Sequence, residues 1–274
     1  MKSDSDSARS VDLTGAQKTL LITLYAKALD SRSKHSILHD EKAYEIVKAI
    51  DYNFENTAGF GNHNIIVVRA KQIDEWIKEF LKNHPDSTVV NLGCGLDTRV
   101  ARIRPLFPGV SWFDVDFPEV IKERQAFFHN EEGYQMLASS ITEVTWLDQL
   151  PRNPATIVAD GVFEYLFERE VRTLLNRLTG HFPSGQISFD VMNTYAVEQG
   201  RTRLKETMGA EHRWAVDDPR SVDALDSKLK RVDTLSLFAS KYMSGLEFRY
   251  RLMYAFVRLF PNFKNMIRLL RYDF

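Results

Sequence analysis

The chain has 274 residues, 44% of them hydrophobic, which is enough for one large domain with additions. Its 36 Lys and Arg balance 37 Asp and Glu, so it lacks the basic excess expected of a nucleic-acid binder. No apolar run reaches the roughly 20 residues of a membrane helix, and one cysteine can make neither an internal disulfide nor a cysteine-based zinc site.

Residues 1–11 ("MKSDSDSARSV") are polar and read as disordered, without the pattern of a secretory signal; cytoplasm is the expected compartment. From Thr14, Leu20, Leu24 and Ala28 recur at helical spacing, with Leu21 and Tyr25 beside them. "DEKAYEIVKAI" continues as helix, with Ala43, Ile46, Val47 and Ile50 on one face. "NTAGFGNHN" breaks the pattern and reads as a loop. "RAKQIDEWIKEFLKNHP" then sets Ile73, Trp76, Ile77, Phe80 and Leu81 on one stripe ending before Pro85.

Beyond Pro85, short β-type runs alternate with helical segments. They are "TVVNLG" (88–93), "VSWFDVD" (110–116), "YQMLASS" (134–140), "ATIVADG" (155–161) and "QISFDVM" (186–192). The clearest helix between them carries Val171, Leu174, Leu175 and Leu178. This alternation predicts an α/β fold, a parallel sheet with helices on both faces, binding ligands beyond the carboxyl ends of its strands. Residues 193–228 are more polar and read as an inserted helical cap. "LKRVDTLSL" (229–237) and "MIRLLRYDF" (266–274) return to strand around a helix-like "FRYRLMYAFVRLF". The division is therefore 12–84 N-terminal helices, 85–192 ligand-binding core, 193–228 lid and 229–274 closing strands.

Four features carry chemistry. The turn Gly93-Cys94-Gly95 directly follows a strand; glycines let the backbone turn sharply and lie against a ligand. A helix starting nearby would aim N–H groups at an anion. A nicotinamide site wants a third glycine where Thr98 stands. Asp116 closes the second strand, 23 residues past Gly93, where a carboxylate can accept both ribose hydroxyls of a nucleoside. Its plainer reading is an N-cap, since Pro118 follows at a first helical turn. Asp114 faces the same side but sits deeper. Asp160, in "DGVFEYL", ends the fourth strand; its plainer reading is a cap or loop residue, and Glu164 reads as solvent-facing. Arg69, opening a helical stripe, offers a fork for a carboxylate, against the plainer reading of a solvated helix-end arginine.

Other residue groups read blandly. His35 and His39 lack a H-E-x-x-H context, so no metal is expected. Ser139-Ser140 is not a nucleophile elbow. Phe248, Tyr250, Tyr254, Phe256 and Phe260 read as core or the underside of a lid.

Taken together, "VVNLGCGLDTR", "WFDVDFPEVIKERQAFF", "ASSITEVTW" and "VADGVFEYL" resemble the leucine carboxyl methyltransferase family, in particular its bacterial branch of tetracenomycin-polyketide type. "SILHDEKAYEIVKAIDYNF", "HRWAVDDPRSVDAL" and "IRLLRYDF" extend the resemblance over most of the chain. It implies a class I S-adenosylmethionine-dependent methyltransferase fold, Rossmann-like, with a seven-stranded sheet, its last strand antiparallel, and a helical lid. It also implies residue roles. Arg69 would hold the methionine carboxylate, Gly93 and Gly95 would line the middle of the cofactor, and Asp116 would bind the ribose. Ser140 and Ile141 stand where the family commonly has Asp-Leu beside the adenine. Asp160 stands where it commonly has Glu, near the methionine amino group. Lys34 matches a basic residue of the N-terminal region.

The implied reaction is methyl transfer to oxygen. A carboxylate acceptor is ionised at neutral pH and needs no general base; none of the motifs supplies one, which favours a carboxylate of a small molecule over a hydroxyl. Arg203 and Arg213 in the cap are candidates to clamp such an acceptor, and Tyr195 could hydrogen-bond it. Two other classes stay open: a nicotinamide-dependent oxidoreductase, and a cofactor-binding scaffold that has lost catalysis. Neither nucleic acid nor membrane is an expected partner.

Overall fold

Val89 and Val90 are neighbours on one strand whose side chains enter different cores, and that alternation builds the molecule. The computed structural model describes residues 19–54, 63–143 and 145–274, apart from the side chains of residues 203, 207 and 208. Its centre is a seven-stranded sheet: β1 (Thr88–Leu92), β2 (Ser111–Asp116), β3 (Tyr134–Ala138), β4 (Ala155–Ala159), β5 (Gly185–Met192), β6 (Lys230–Ser236) and β7 (Ile267–Asp273). The order across the sheet is β3-β2-β1-β4-β5-β7-β6. β1 to β5 are parallel, and β7 runs antiparallel to both its neighbours. All seven strand segments expected from the pattern are present within a residue or two at their ends, and the antiparallel last strand is as the resemblance implied.

The central strands are buried on both faces, as parallel strands covered by helices must be. On one face Val89 and Val158 pack with Ile73, Trp76, Ile77 and Leu81 of α3 (His63–Asn83), and with α1 (Thr19–Ser31) and α2 (Glu41–Ala49). On the other, Val90, Ile157 and Ala159 pack with Val171, Leu174, Leu175 and Leu178 of α6 (Glu168–His181). Between β1 and β2 lies only the five-residue helix α4 (Arg99–Ile103) with a following 3-10 turn; α5 (Pro118–Arg124) follows β2.

Two expectations need correction. The loop read at "NTAGFGNHN" ends early: His63 and Asn64 already belong to α3, so "NIIVV" is helical and Arg69 sits well inside the helix; residues 55–62, like the expected disordered residues 1–11, fall outside the described residues. The aromatics of α9 (Phe248–Val257) are not all core. Tyr254 is buried against Phe238, but Phe248, Phe256 and Phe260 are exposed, with Leu252 and Leu259 beside them. One face of α9 is enough to rest it on the molecule, and the other faces outward.

Residues 193–228 hold α7 (Thr194–Met208), an extended run and the short α8 (Arg220–Asp223). α7 is started by Asn193, whose side chain accepts from Ala196 N, and stopped by Gly209 in the left-handed region. Leu204 of α7 and Ala210 meet Ile22 of α1, with Ile66 of α3 and Tyr165 at the margin. That contact draws α1, α3 and α7 over the carboxyl end of β4. Among the described residues, no helix is long and apolar enough to cross a membrane.

Candidate active site

The strand order reverses between β1 and β4, which opens a crevice beyond their carboxyl ends. β1 delivers Gly93 and Gly95 to its edge. Both have positive φ, 59° and 51°, where a side chain is strained. A Cβ on Gly93 would stand 2.6 Å from Val162 Cγ2, and one on Gly95 would stand 3.2 Å from Leu20 Cβ. The bare turn is therefore required by the space around it. Cys94 between them is buried, and burial pushes its thiol well up from the ordinary range, so it is not a nucleophile. α4 is too short, and too closely preceded by Asp97, whose carboxylate already accepts from Arg99 N, to serve as an anion-binding helix start.

Asp116 borders this turn. Its Oδ2 accepts from Gly95 N at 2.7 Å and its Oδ1 from Phe117 N at 2.7 Å. It is not an N-cap: the N-cap position of α5 is Phe117, and no side chain caps the helix. Burial raises its pKa to about 6, against the pull of the two amide donors, so it is ionised at neutral pH. Each carboxylate oxygen keeps a lone pair for a further donor. Asp114 is deeper, as expected, and serves structure: it pairs with Arg124 and accepts from Tyr134, Trp112 and Asn91.

Beyond β4 the chemistry is different. Arg69, buried on α3, sends Nη1 to Asp190 Oδ2 at 2.7 Å, while its Nε lies 2.6 Å from Asp160 Oδ1, an ion contact poorly angled for a hydrogen bond. Asp160 Oδ2 accepts from Arg99 Nη2 at 2.6 Å. Arg99 meets Asp97 at 2.8 Å, and Asp97 takes Lys27 Nζ at 2.6 Å. Arg102 continues the chain to Asp74 and Asp40, and Thr98 Oγ1 also bonds Asp40. Burial alone would raise Asp160 and Asp97; their arginine neighbours, with Lys27, outweigh it and hold both below the ordinary carboxylate range. The buried, paired Arg69 replaces the solvated helix-end arginine, and the doubly paired Asp160 replaces the loop aspartate.

Glu164 is also not solvent-facing. It is 5% exposed, on the 3-10 turn Phe163–Tyr165 that follows β4. Burial, then the carboxylate of Asp190, push its pKa up to about 8. Its backbone oxygen accepts from Arg213 N at 2.7 Å, which ties residues 210–214 to the site. Next to it the Tyr165 ring lies 5.3 Å from that of His212. Gly161, with φ 73°, leaves room for Arg69 Nη2, which a Cβ would approach to 2.9 Å.

The structure thus gathers Arg69, Gly93, Gly95, Asp116 and Asp160 along one edge. Ser140 and Ile141 follow β3 at the same edge; Ile141 is buried, and Ser140 Oγ is bonded to Thr142 Oγ1 at 2.8 Å. Lys34 stands apart, exposed on the turn after α1, whereas Lys27, a residue sequence reasoning passed over, reaches Asp97. Tyr195 is half-buried with its ring edge-on to Phe263 at 5.2 Å. Arg213 is exposed, with its guanidinium 4.9 Å from the Phe167 ring. The side chain of Arg203 lies outside the described residues. Also missed were Arg99, Asp190 and His212, while Glu164 was noticed but read as solvent-facing. Asp190 left one signal, a carboxylate inside the otherwise apolar strand "QISFDVM".

These residues fit S-adenosylmethionine: a glycine turn at the end of β1 with both glycines at positive φ and no room for a Cβ, an ionised carboxylate with open lone pairs beside it, and acidic groups beyond β4 for the cationic end. The nicotinamide alternative has no counterpart for its third glycine, since Thr98 is buried and bonded to Asp40.

Comparison with known proteins agrees. Residues 20–179 match the leucine carboxyl methyltransferase family. The chain is 35% identical over 268 residues to the tetracenomycin polyketide synthesis O-methyltransferase TcmP of Streptomyces glaucescens, covering 97% of this chain and 99% of that one. It is 31% identical to the S-adenosyl-L-methionine-dependent methyltransferase dpfgK of Gibberella zeae, covering 78% and 79% of the two chains. In fold it is similar to a crystal structure assigned to the methyltransferases, from Thermobifida fusca YX, with TM-score 0.61, 14% identity and coverage of 90% and 93%. The chain belongs to the leucine carboxyl methyltransferase family, and it is an S-adenosylmethionine-dependent methyltransferase of that type.

Proposed function

We propose that the protein methylates a carboxylate oxygen of a small organic acid. The observation that carries this reading is the family match over residues 20–179, supported by likeness along nearly the whole chain to an O-methyltransferase of polyketide synthesis. When bound, the cofactor supplies a methyl group on a positively charged sulfur. The chain then has to bind, orient and keep water out. Asp116 receives the ribose hydroxyls, the Gly93–Gly95 turn lets the cofactor pass close to the backbone, and Arg69, fixed by Asp160 and Asp190, stands ready for the methionine carboxylate. Ser140 and Ile141 border the adenine. Residues 193–228 cover the acceptor, with Tyr195, Arg203 and Arg213 as candidate contacts. A carboxylic acid of pKa about 4 is already a nucleophilic anion at neutral pH, so the transfer needs no proton acceptor.

A second reading, transfer to a hydroxyl, is favoured by His212. Its Nδ1 is buried without a hydrogen-bond partner among the described residues, and burial lowers its pKa, so the ring is neutral and able to take a proton. Labelled methyl transfer to a panel of acids and phenols separates the two. A methyl ester gives up its label as methanol in alkali, and a methyl ether keeps it. Alkali-labile product, formed equally well by His212→Gln, is the expected result. Alkali-stable product that His212→Gln cannot make would replace the carboxylate reading with the hydroxyl one. No transfer to any acceptor would favour a scaffold without catalysis.

A further inference from the structure

In this chain the acid that stands where the family commonly has Glu is shorter, and a guanidinium stands against each of its oxygens. Its Oδ1, like Oε2 of Glu164, accepts no hydrogen bond among the described residues, so the two acids differ in ion pairing. Asp160 has a guanidinium on each side, Arg69 on Oδ1 and Arg99 on Oδ2. A carboxylate so neutralised has little attraction left for an incoming ammonium. Four residues later Glu164 presents the opposite case. Its Oε2 is buried and, among the described residues, has no hydrogen-bond partner and makes no ion pair. It lies in the same electrostatic neighbourhood, sensing Arg69 from α3, Asp160 from the end of β4 and Asp190 from β5. The surrounding network sets four cations, Lys27, Arg69, Arg99 and Arg102, against five paired carboxylates before Glu164 is added. A buried carboxyl oxygen left without a partner beside a like charge is costly unless a ligand completes it.

We propose that Glu164, rather than Asp160, receives the α-ammonium group of the cofactor's methionine end, so that the shortened acid at 160 is a positioning residue for Arg69 and Arg99. The inference rests on the cofactor reading of the site. Two consequences follow from the chemistry. In the free protein at pH 7 Glu164 holds a proton, because burial and Asp190 raise its pKa to about 8. The arriving ammonium favours the ionised form, so binding releases that proton to the buffer. At pH 9 the proton is already gone and none is released.

The test uses the full chain and two probes, S-adenosylhomocysteine and the same molecule lacking its α-amino group, titrated calorimetrically at pH 7 in buffers of different ionisation enthalpy. Wild type should bind the amino-bearing probe more tightly and release up to about one proton with it. Glu164→Gln, which keeps the shape of the side chain, should weaken S-adenosylhomocysteine by about tenfold or more, leave the desamino probe within about twofold, and abolish the proton release. Asp160→Asn should retain the preference for the amino group. The proposal is overturned if Glu164→Gln weakens both probes equally or neither, or if Asp160→Asn alone removes the preference. Failure of wild type to bind S-adenosylhomocysteine at all would instead remove the cofactor reading beneath it. Melting curves for both variants establish that any loss of binding belongs to a folded protein.

Discussion

Asp116 at the end of β2 and Asp160 at the end of β4 are acids on the same edge of one sheet, and their surroundings share almost nothing. Asp116 is held by two backbone N–H groups, from residues 1 and 21 positions away. Among the described residues no arginine makes an ion pair with it, and burial lifts its pKa to about 6. Asp160 is held by two guanidinium groups, with Arg99 61 positions distant, and Arg69 joins it to Asp190 across 121. Its pKa is pulled down instead. The β1–β2 side is thus a site made by local backbone, with a charge left open for neutral hydroxyl donors. The β4–β5 side is a site made by long-range ion pairing, where the charges are mostly spent on one another and, among the described residues, Glu164 is left without an ion pair. The difference suits a cofactor with an uncharged ribose at one end and a zwitterionic amino acid at the other.

The largest way to break the contrast is Arg69→Ala. It leaves Asp160 and Asp190 buried with their shared cation gone, and removing one partner of a buried pair costs about 3–5 kcal/mol. Thermal unfolding should show a Tm lower by roughly 10 °C. An unchanged Tm would mean that the ion network adds nothing to the fold.

Gly93→Ala strikes the other side. Its Cβ meets Val162 and its φ is positive, so a loss of about 2 kcal/mol is expected by denaturant unfolding, with weakened cofactor binding. A Gly93→Ala variant as stable as wild type would show that the turn is free to move.

Glu164→Gln should be smaller and dependent on pH. The folded-state pKa of about 8 lies above the ordinary glutamate value of 4.5. Between those values the folded chain keeps a proton that the unfolded chain gives up, so wild-type stability falls as pH rises through that window. The amide introduced by Glu164→Gln carries no such proton. The variant and wild type should melt nearly together near pH 5, and the variant should melt measurably higher at pH 9. Parallel melting curves at both pH values would contradict a buried acid that holds its proton at neutral pH.

The same contrast explains what could be read from the sequence. All seven strands, the helix stripes and the β1–β2 residues were legible, because a glycine turn, a strand end and a carboxylate about twenty residues later are local patterns. The β4–β5 network was not. Lys27 is one cation in a helix, Arg99 and Asp97 are ordinary turn residues, and Glu164 in "DGVFEYL" has the spacing of a solvated face. Their meaning appears only when α1, α3, β1, β4 and β5 converge. The resemblance to the family supplied Arg69 and Asp160, but it could not show that each is already paired to the other. Helical period likewise placed α9 without showing that Phe248 and Phe256 face outward, since a helix resting on a single buried tyrosine looks the same in sequence as one enclosed on all sides.

The placement of the cofactor stands or falls on the affinity of the full chain for S-adenosylhomocysteine, measured calorimetrically at pH 7.5 for wild type and for Asp116→Ala, with melting curves to establish folding. If Asp116 holds the ribose, wild type binds and the folded variant binds at least about tenfold more weakly, the loss expected for hydrogen bonds to a charged group. Equal affinity in the two proteins would contradict the placement of the cofactor across the β1–β2 edge.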